Sequence, residues 1–200
     1  MKTTRIICAA ILAALTITMT ACGEDSTANS EIAMQEESVV EQSNVVSSAI
    51  NFEENRGEIV SGIFTATDGA YRVSVPQGVT LLTAANTTSV FSADDGTTTI
   101  TVSCESSGGV YQDLTQESFE SVYRQLYQDY NTGEFSVKSI DETKTDYRLS
   151  FTGTDRENPL QIYVCKAVSP DRAVTIQVSA QQNNDHANAL LEEFAASLVF

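Results

Sequence analysis

Residues 160–168 are apolar on both parities, with Leu160, Ile162, Val164 and Val168 on one and Tyr163, Cys165 and Ala167 on the other. Successive side chains of a strand point to opposite faces. A run that is apolar at both sets of positions has to be covered on both sides, as a central strand is. Strand-like runs flank it at 135–140, 147–152 and 173–179. Turn-like segments at 141–144, 155–159 and 169–171 separate the four. Connections this short favour antiparallel neighbours.

The first half of the chain repeats the pattern. Residues 59–64 and 71–75 enclose Thr67-Asp68-Gly69-Ala70, and residues 88–92 and 97–104 enclose Asp94-Asp95-Gly96. Asp-Gly between alternating runs is a strong hairpin signal. Ile100, Val102 and Cys104 share one face of the second hairpin, with Thr99, Thr101 and Ser103 on the other. Two stretches carry helical periodicity instead. Over 114–130 the spacing of Phe119, Val122, Tyr123, Leu126, Tyr127 and Tyr130 predicts one apolar stripe, capped by Asp113 and stopped by Asn131-Thr132-Gly133. The tyrosine row reads as core whose hydroxyls reach the rim, with a ligand shelf as the alternative. Asn184 or Asp185 caps a last helix, which sets Leu190, Leu191, Phe194, Ala195, Leu198 and Val199 to one side. The order β-β-β-β-α-β-β-β-β-α predicts an α+β domain over 59–200, a mostly antiparallel sheet of about six to eight strands carrying two amphipathic helices.

Within that order, Tyr71-x-Val73-x-Val75-Pro76-x-Gly78 resembles the opening strand-Pro-Gly segment of the PsbP/DcrB-like superfamily. The resemblance implies an α/β/α sandwich and a non-catalytic, accessory character, and it transfers no active site.

The N-terminus carries an address. Lys2 and Arg5 precede an apolar run over 6–17, which Thr16, Thr18 and Thr20 dilute. A spanning helix needs roughly 20 apolar residues, so the layout is that of a secretory leader over 1–21. Met19-Thr20-Ala21-Cys22 resembles the lipobox of bacterial lipoproteins, with Met19 where Leu is usual. That resemblance implies a lipid-modified Cys22 as mature N-terminus and a domain held outside the cytoplasm by its lipid. An ordinary cleaved leader and an uncleaved helix are the alternatives. Residues 22–58 then read as an acidic flexible tether: positions 24–58 hold nine acids, one base and no Pro. Val39, Val40, Val45, Val46, Ile50 and Phe52 interrupt it, as a solvated spacer or as a partner-binding segment.

Composition narrows the chemistry. Without Lys2 and Arg5 the chain has nine basic and 27 acidic residues, so its formal charge goes from −16 to −18. Nucleic-acid binding needs basic groups that release counterions, and this balance argues against it. Past Cys22 only Cys104 and Cys165 remain, with no CxxC and a single His186, which argues against structural zinc. The two cysteines are either a disulfide, which would stabilise by about 4 kcal/mol, or two buried thiols. No nucleophile elbow, dinucleotide fingerprint or P-loop occurs. Acidic pairs stand at Asp94-Asp95, Asp155/Glu157 and Glu192-Glu193. They read as solvated turns and helix faces, with calcium binding or carboxylate hydrolysis as the active alternatives. No cofactor is implied. The expected function is a membrane-anchored, non-catalytic binding or accessory module for another envelope protein or a small ligand; the alternative is a surface hydrolase using carboxylates, with or without a metal ion. Cells fed a fatty-acid analogue are expected to label the chain but not its Cys22→Ser variant, and equal label in both would refute the lipid reading.

Overall fold

Every neighbouring pair of strands in the main sheet is antiparallel, and the chain reaches its centre last. A computed structural model describes residues 57–200 apart from 86, 109–113, 183 and 185. The expected leader, Cys22, nearly all of the expected tether and the proposed caps Asp113 and Asp185 lie outside the described residues. The seven strands are β4 (Val79–Ala85), β5 (Thr88–Ala93), β6 (Thr99–Ser106), β7 (Gln128–Ser139), β8 (Thr145–Asp155), β9 (Asn158–Val168) and β10 (Arg172–Gln181). Their spatial order is β4-β5-β6-β10-β9-β8-β7. The meander β4-β5-β6 therefore leads through helix α1 (Gln116–Leu126) to the far edge. A second meander, β7 to β10, works back until β10 pairs with β6. A small sheet, β1 (Glu58–Val60), β2 (Ile63–Thr65) and β3 (Arg72–Ser74), and the helix α2 (His186–Ser197) complete the domain.

The parity of β9 and β10 divides the core in two. Ile162 and Val164 join Tyr147, Leu149 and Phe151 under α1, where Phe119 and Tyr123 cover them. On the other face Cys165, Val174, Ile176 and Val178 meet Leu190, Leu191 and Phe194 of α2, together with Phe64, Tyr71 and Val73 of the small sheet. This is an α+β fold with a helix on each face of the sheet, and the two-sided apolar run of β9 is its interior strand, as expected.

Both Asp-Gly hairpins form. Asp68 (φ 58°) and Gly69 (φ 65°) sit left-handed between β2 and β3, the twist that the Asp-Gly pair favours. Gly78 of the strand-Pro-Gly segment has φ +81°, and a Cβ there would meet the Asp94 carboxylate at 2.9 Å. The Asp94 N–H donates to Gly78 O at 2.7 Å, which closes the exit of the small sheet onto the β5–β6 turn. Tyr71 is fully buried. Its hydroxyl donates to Val102 O at 3.2 Å and shares a short hydrogen bond with Ser89 Oγ, and burial pushes its pKa up to about 12.

Several expectations need correction, and one strand, β4, was not anticipated. Residues 59–64 are not one strand, because Ser61 (φ 51°) and Gly62 (φ 77°) turn the chain between β1 and β2. Residues 79–85 form β4, whose period-two signal is broken by a register shift between Leu81 and Thr83 that leaves Leu82 in solvent. The first helix stops at Leu126, so Asn131, Thr132 and Gly133 lie inside β7; a Cβ on Gly133 would strike Ser150 O at 2.3 Å. Its N-cap is Thr115, which exchanges hydrogen bonds with Ser118 in a capping box. Val122 and Leu126, placed in the apolar stripe, are more than half exposed.

Tyr123, Tyr127 and Tyr130 nonetheless converge, on Phe151, with ring centroids 5.1, 5.4 and 4.6 Å from it. They serve as core, not as a shelf. Phe151→Ala is expected to cost about 3–5 kcal/mol in urea unfolding, whereas Leu126→Ala is expected to stay within about 0.5 kcal/mol. Equal losses would show that α1 is docked by its other face.

Candidate functional site

A groove of about 350 Å³ runs between the β7–β8 hairpin, α2 and the last residues of the chain. Its size falls in the range of small-ligand sites. Three local devices hold its walls. At the hairpin tip, the Asp141 carboxylate accepts the Thr143 N–H at 2.7 Å, the Thr143 hydroxyl at 2.8 Å and the Lys144 N–H at 2.9 Å. Those bonds, together with the Lys144 charge, hold its pKa below the usual carboxylate range. On the opposite wall, Asn184 accepts the His186 N–H at 3.0 Å and so caps α2. Its amide donates to Asp95 Oδ2 and Thr98 Oγ1, each at 3.0 Å, which hangs the start of α2 from the β5–β6 turn. The end of the chain is fastened by Val199, whose N–H and carbonyl both bond to Arg72 of β3.

The apolar lining of the groove comes from Ala167, Ala195 and Ala196 together with Ile140, Leu198 and Phe200. Arg148 stands on β8 and reaches Asp146 at 3.2 Å and Glu192 of α2 at 2.8 Å. Asp146 is buried, so the pair has to be complete; removing one partner of a buried pair leaves an uncompensated charge. The Lys144 ammonium lies 4.5 Å from the centroid of the Phe200 ring. Lys138 also lines the groove. Among the described residues no carboxylate pairs with Lys138 or Lys144.

The residues singled out in the sequence lie elsewhere, Glu192 apart. Cys104 on β6 and Cys165 on β9 are free and buried, with β10 between them. Cys104 is opposite Val174 and Cys165 opposite Ile176, so two strand spacings and a two-residue offset set their Cα atoms roughly 12 Å apart, beyond disulfide reach. Burial raises both thiols, Cys165 to about 12, which keeps them protonated. His186 is exposed at the start of α2. Asp94 and Asp95 occupy the β5–β6 turn, Asp155 and Glu157 the β8–β9 turn, and Glu192 and Glu193 α2. They form three separate places, and among the described residues no three His, Cys, Asp or Glu side chains gather as a metal site.

Sequence reasoning missed the groove and one further cluster. Glu120 of α1 is 3% exposed and accepts from Gln116 Nε2 at 2.9 Å, from Arg124 and from Thr132 Oγ1. Burial opposes its charge, but these bonds outweigh burial and lower its pKa. The Arg124 guanidinium covers the Tyr130 ring at 4.5 Å. The Tyr130 hydroxyl beneath is buried without a partner among the described residues, and burial raises it to about 12. The only sequence signal was the i, i+4 Glu-Arg pair, which is common on exposed helices.

No protein-family model matches the chain, and no curated protein matches it. Similar solved structures include the cyanobacterial PsbP (CyanoP) of Synechocystis sp. PCC 6803, with 13% identity over 72% of this chain and 95% of that one, at a TM-score of 0.49. They also include a 1.50 Å crystal structure from Bacteroides thetaiotaomicron VPI-5482, with 12% identity over 69% of this chain and a TM-score of 0.50. The match spans 47% of that Bacteroides chain, and the likeness is one of fold alone.

The anchor of α2 should respond to acid. Burial raises Asp95, but hydrogen bonds from Thr98, Thr97 and Asn184 outweigh it and set its pKa at about 2, below the ordinary 3.8. A depressed carboxylate stabilises above its unfolded pKa and loses that contribution as pH falls through the folded one. Asp95→Ala is therefore expected to cost about 1 kcal/mol at pH 7, after discounting for its exposure. The difference from the parent should shrink between pH 4 and pH 2 in urea titrations, and a pH-independent difference would refute this assignment.

Proposed function

We propose that the chain is a lipid-anchored, extracytoplasmic, non-catalytic binding module, tethered through Cys22 and presenting the groove beside α2 to another envelope protein or a small ligand. The anchor rests on the leader and lipobox-like segment that ends at Cys22. Two acyl chains give stable membrane attachment where one gives only marginal binding. Among the described residues no helix is long and apolar enough to cross a membrane.

The observation that carries the binding role is how the groove spends its charges. Each of its three carboxylates is committed to a structural partner: Asp141 to its own turn, Asp146 and Glu192 to Arg148. A general acid or base needs a titratable group free to exchange a proton near working pH. A groove with apolar walls, fixed ion pairs and, among the described residues, two ammonium groups outside any salt bridge is equipped to hold a molecule. The carboxylate-hydrolase reading gains no support from the three separated acidic pairs.

A photo-crosslinking residue placed at Ile140, on the exposed rim, tests this in cells, with the same residue at Glu157 on the β8–β9 turn as control. Capture from position 140 of a defined envelope protein, or co-purification of a small molecule seen by native mass spectrometry, is the expected result. Repeated recovery of the bait alone from both positions, with no bound molecule, would overturn it.

A further inference from the structure

We propose that the groove takes small, singly charged anionic amphiphiles: a carboxylate head met by Lys138 and Lys144, and a short apolar body laid against Leu198 and Phe200. The proposal rests on the binding role assigned above and names the chemistry of its ligand.

Charge bookkeeping within the groove leads to it. Three of the nine basic residues that follow Cys22 line this one cavity, in a chain whose acids outnumber its bases threefold there. The three acids of the groove do not cancel them equally. Asp141 is consumed by the N–H groups and hydroxyl of its own turn, and Asp146 and Glu192 converge on Arg148. What is left outside any salt bridge, among the described residues, is two ammonium groups: Lys138, and Lys144, which is held over the Phe200 ring and whose charge also acts on Asp141. Lys144 is half-buried and Lys138 exposed; a half-buried cation attracts an anion more strongly than one in open water.

The apolar side selects the rest of the ligand. The apolar lining combines three small alanines with the aliphatic and aromatic side chains of Ile140, Leu198 and Phe200. A head without a body would leave these surfaces wet, and a body without a head would leave the lysines unanswered. The strongly negative whole chain raises the cost of polyanions, which favours a single charge.

The test uses the full chain carrying Cys22→Ser, so that no attached lipid competes, with octanoate, octanol and inorganic phosphate as probes. Saturable amide shifts at Lys144 and Leu198 are expected with octanoate. Binding should be about tenfold or more weaker for octanol and for phosphate. The double variant Lys138→Gln, Lys144→Gln should lose about as much, and Lys138→Arg, Lys144→Arg should retain binding. Unchanged amide positions outside the groove verify that each variant is folded. Equal binding of octanoate and octanol, phosphate binding as tight as octanoate, or an unaffected glutamine variant would each overturn the proposal. So would an absence of saturable shifts. None of these depends on lipidation of Cys22 or on capture of a protein at position 140, so failure here and failure of the broader binding role are separate results.

Discussion

The structure depends on one pairing, that of β6 with β10. Eight residue pairs, from Arg172 opposite Ser106 to Ser179 opposite Thr99, join two meanders that are otherwise built from local hairpins. Neither meander alone has a complete core. β4-β5-β6 offers Phe91, Ile100 and Val102 on one face only, and β7-β8-β9 offers its largest apolar side chains to α1. Once β10 bridges them, Val174, Ile176 and Val178 extend the first face across the sheet, and α2 has a surface wide enough to cover. The pairing is remote in sequence, so its loop-closure cost is met before its contacts form.

The groove is a by-product of that arrangement. The helix α2 packs on β10, β9 and β3. The sheet continues past it through β8 and β7, which leaves an uncovered margin between helix and hairpin. Apolar side chains there would face water, and charges there sit beside a low-dielectric wall. Arg148 resolves part of this by tying β8 to α2 through Glu192. On the other face the same problem has another solution. Glu120 and Arg124 lie over the tyrosine cluster, and the buried Tyr130 hydroxyl is left unpaired among the described residues, at a cost of about 1–3 kcal/mol.

Most of the strands were legible because their signals are local. Alternation marks β6, two-sided burial marks β9, and the Asp-Gly turns mark both early hairpins. The failures are local too, and each has a physical cause. Tyr127 and Tyr130 keep helical spacing while standing in extended backbone, because Asp129 at φ 47° inserts a bulge that turns Tyr130 back toward Phe151. A three-residue step cannot distinguish that bulge from a helical turn. In β4 a bulge likewise erased the period of two. The groove had no signature at all, since Lys138, Lys144, Arg148 and Glu192 come from β7, the β7–β8 turn, β8 and α2 and are ordinary polar residues individually.

By itself the sequence determined the α+β class, the interior position of β9, the two early hairpins and the existence of both helices. Each follows from side-chain periodicity or turn chemistry acting over a few residues. It also carries the segment up to Cys22 on which the proposed leader and anchor rest, a chemical signal read along the chain. Only the tertiary structure decided that β10 lies at the centre of the sheet, that the two cysteines are kept apart by it, and that three bases meet beside α2. Those outcomes depend on which strands pair across some 70 residues, and pairing is selected by the summed burial of whole faces, which no short stretch encodes.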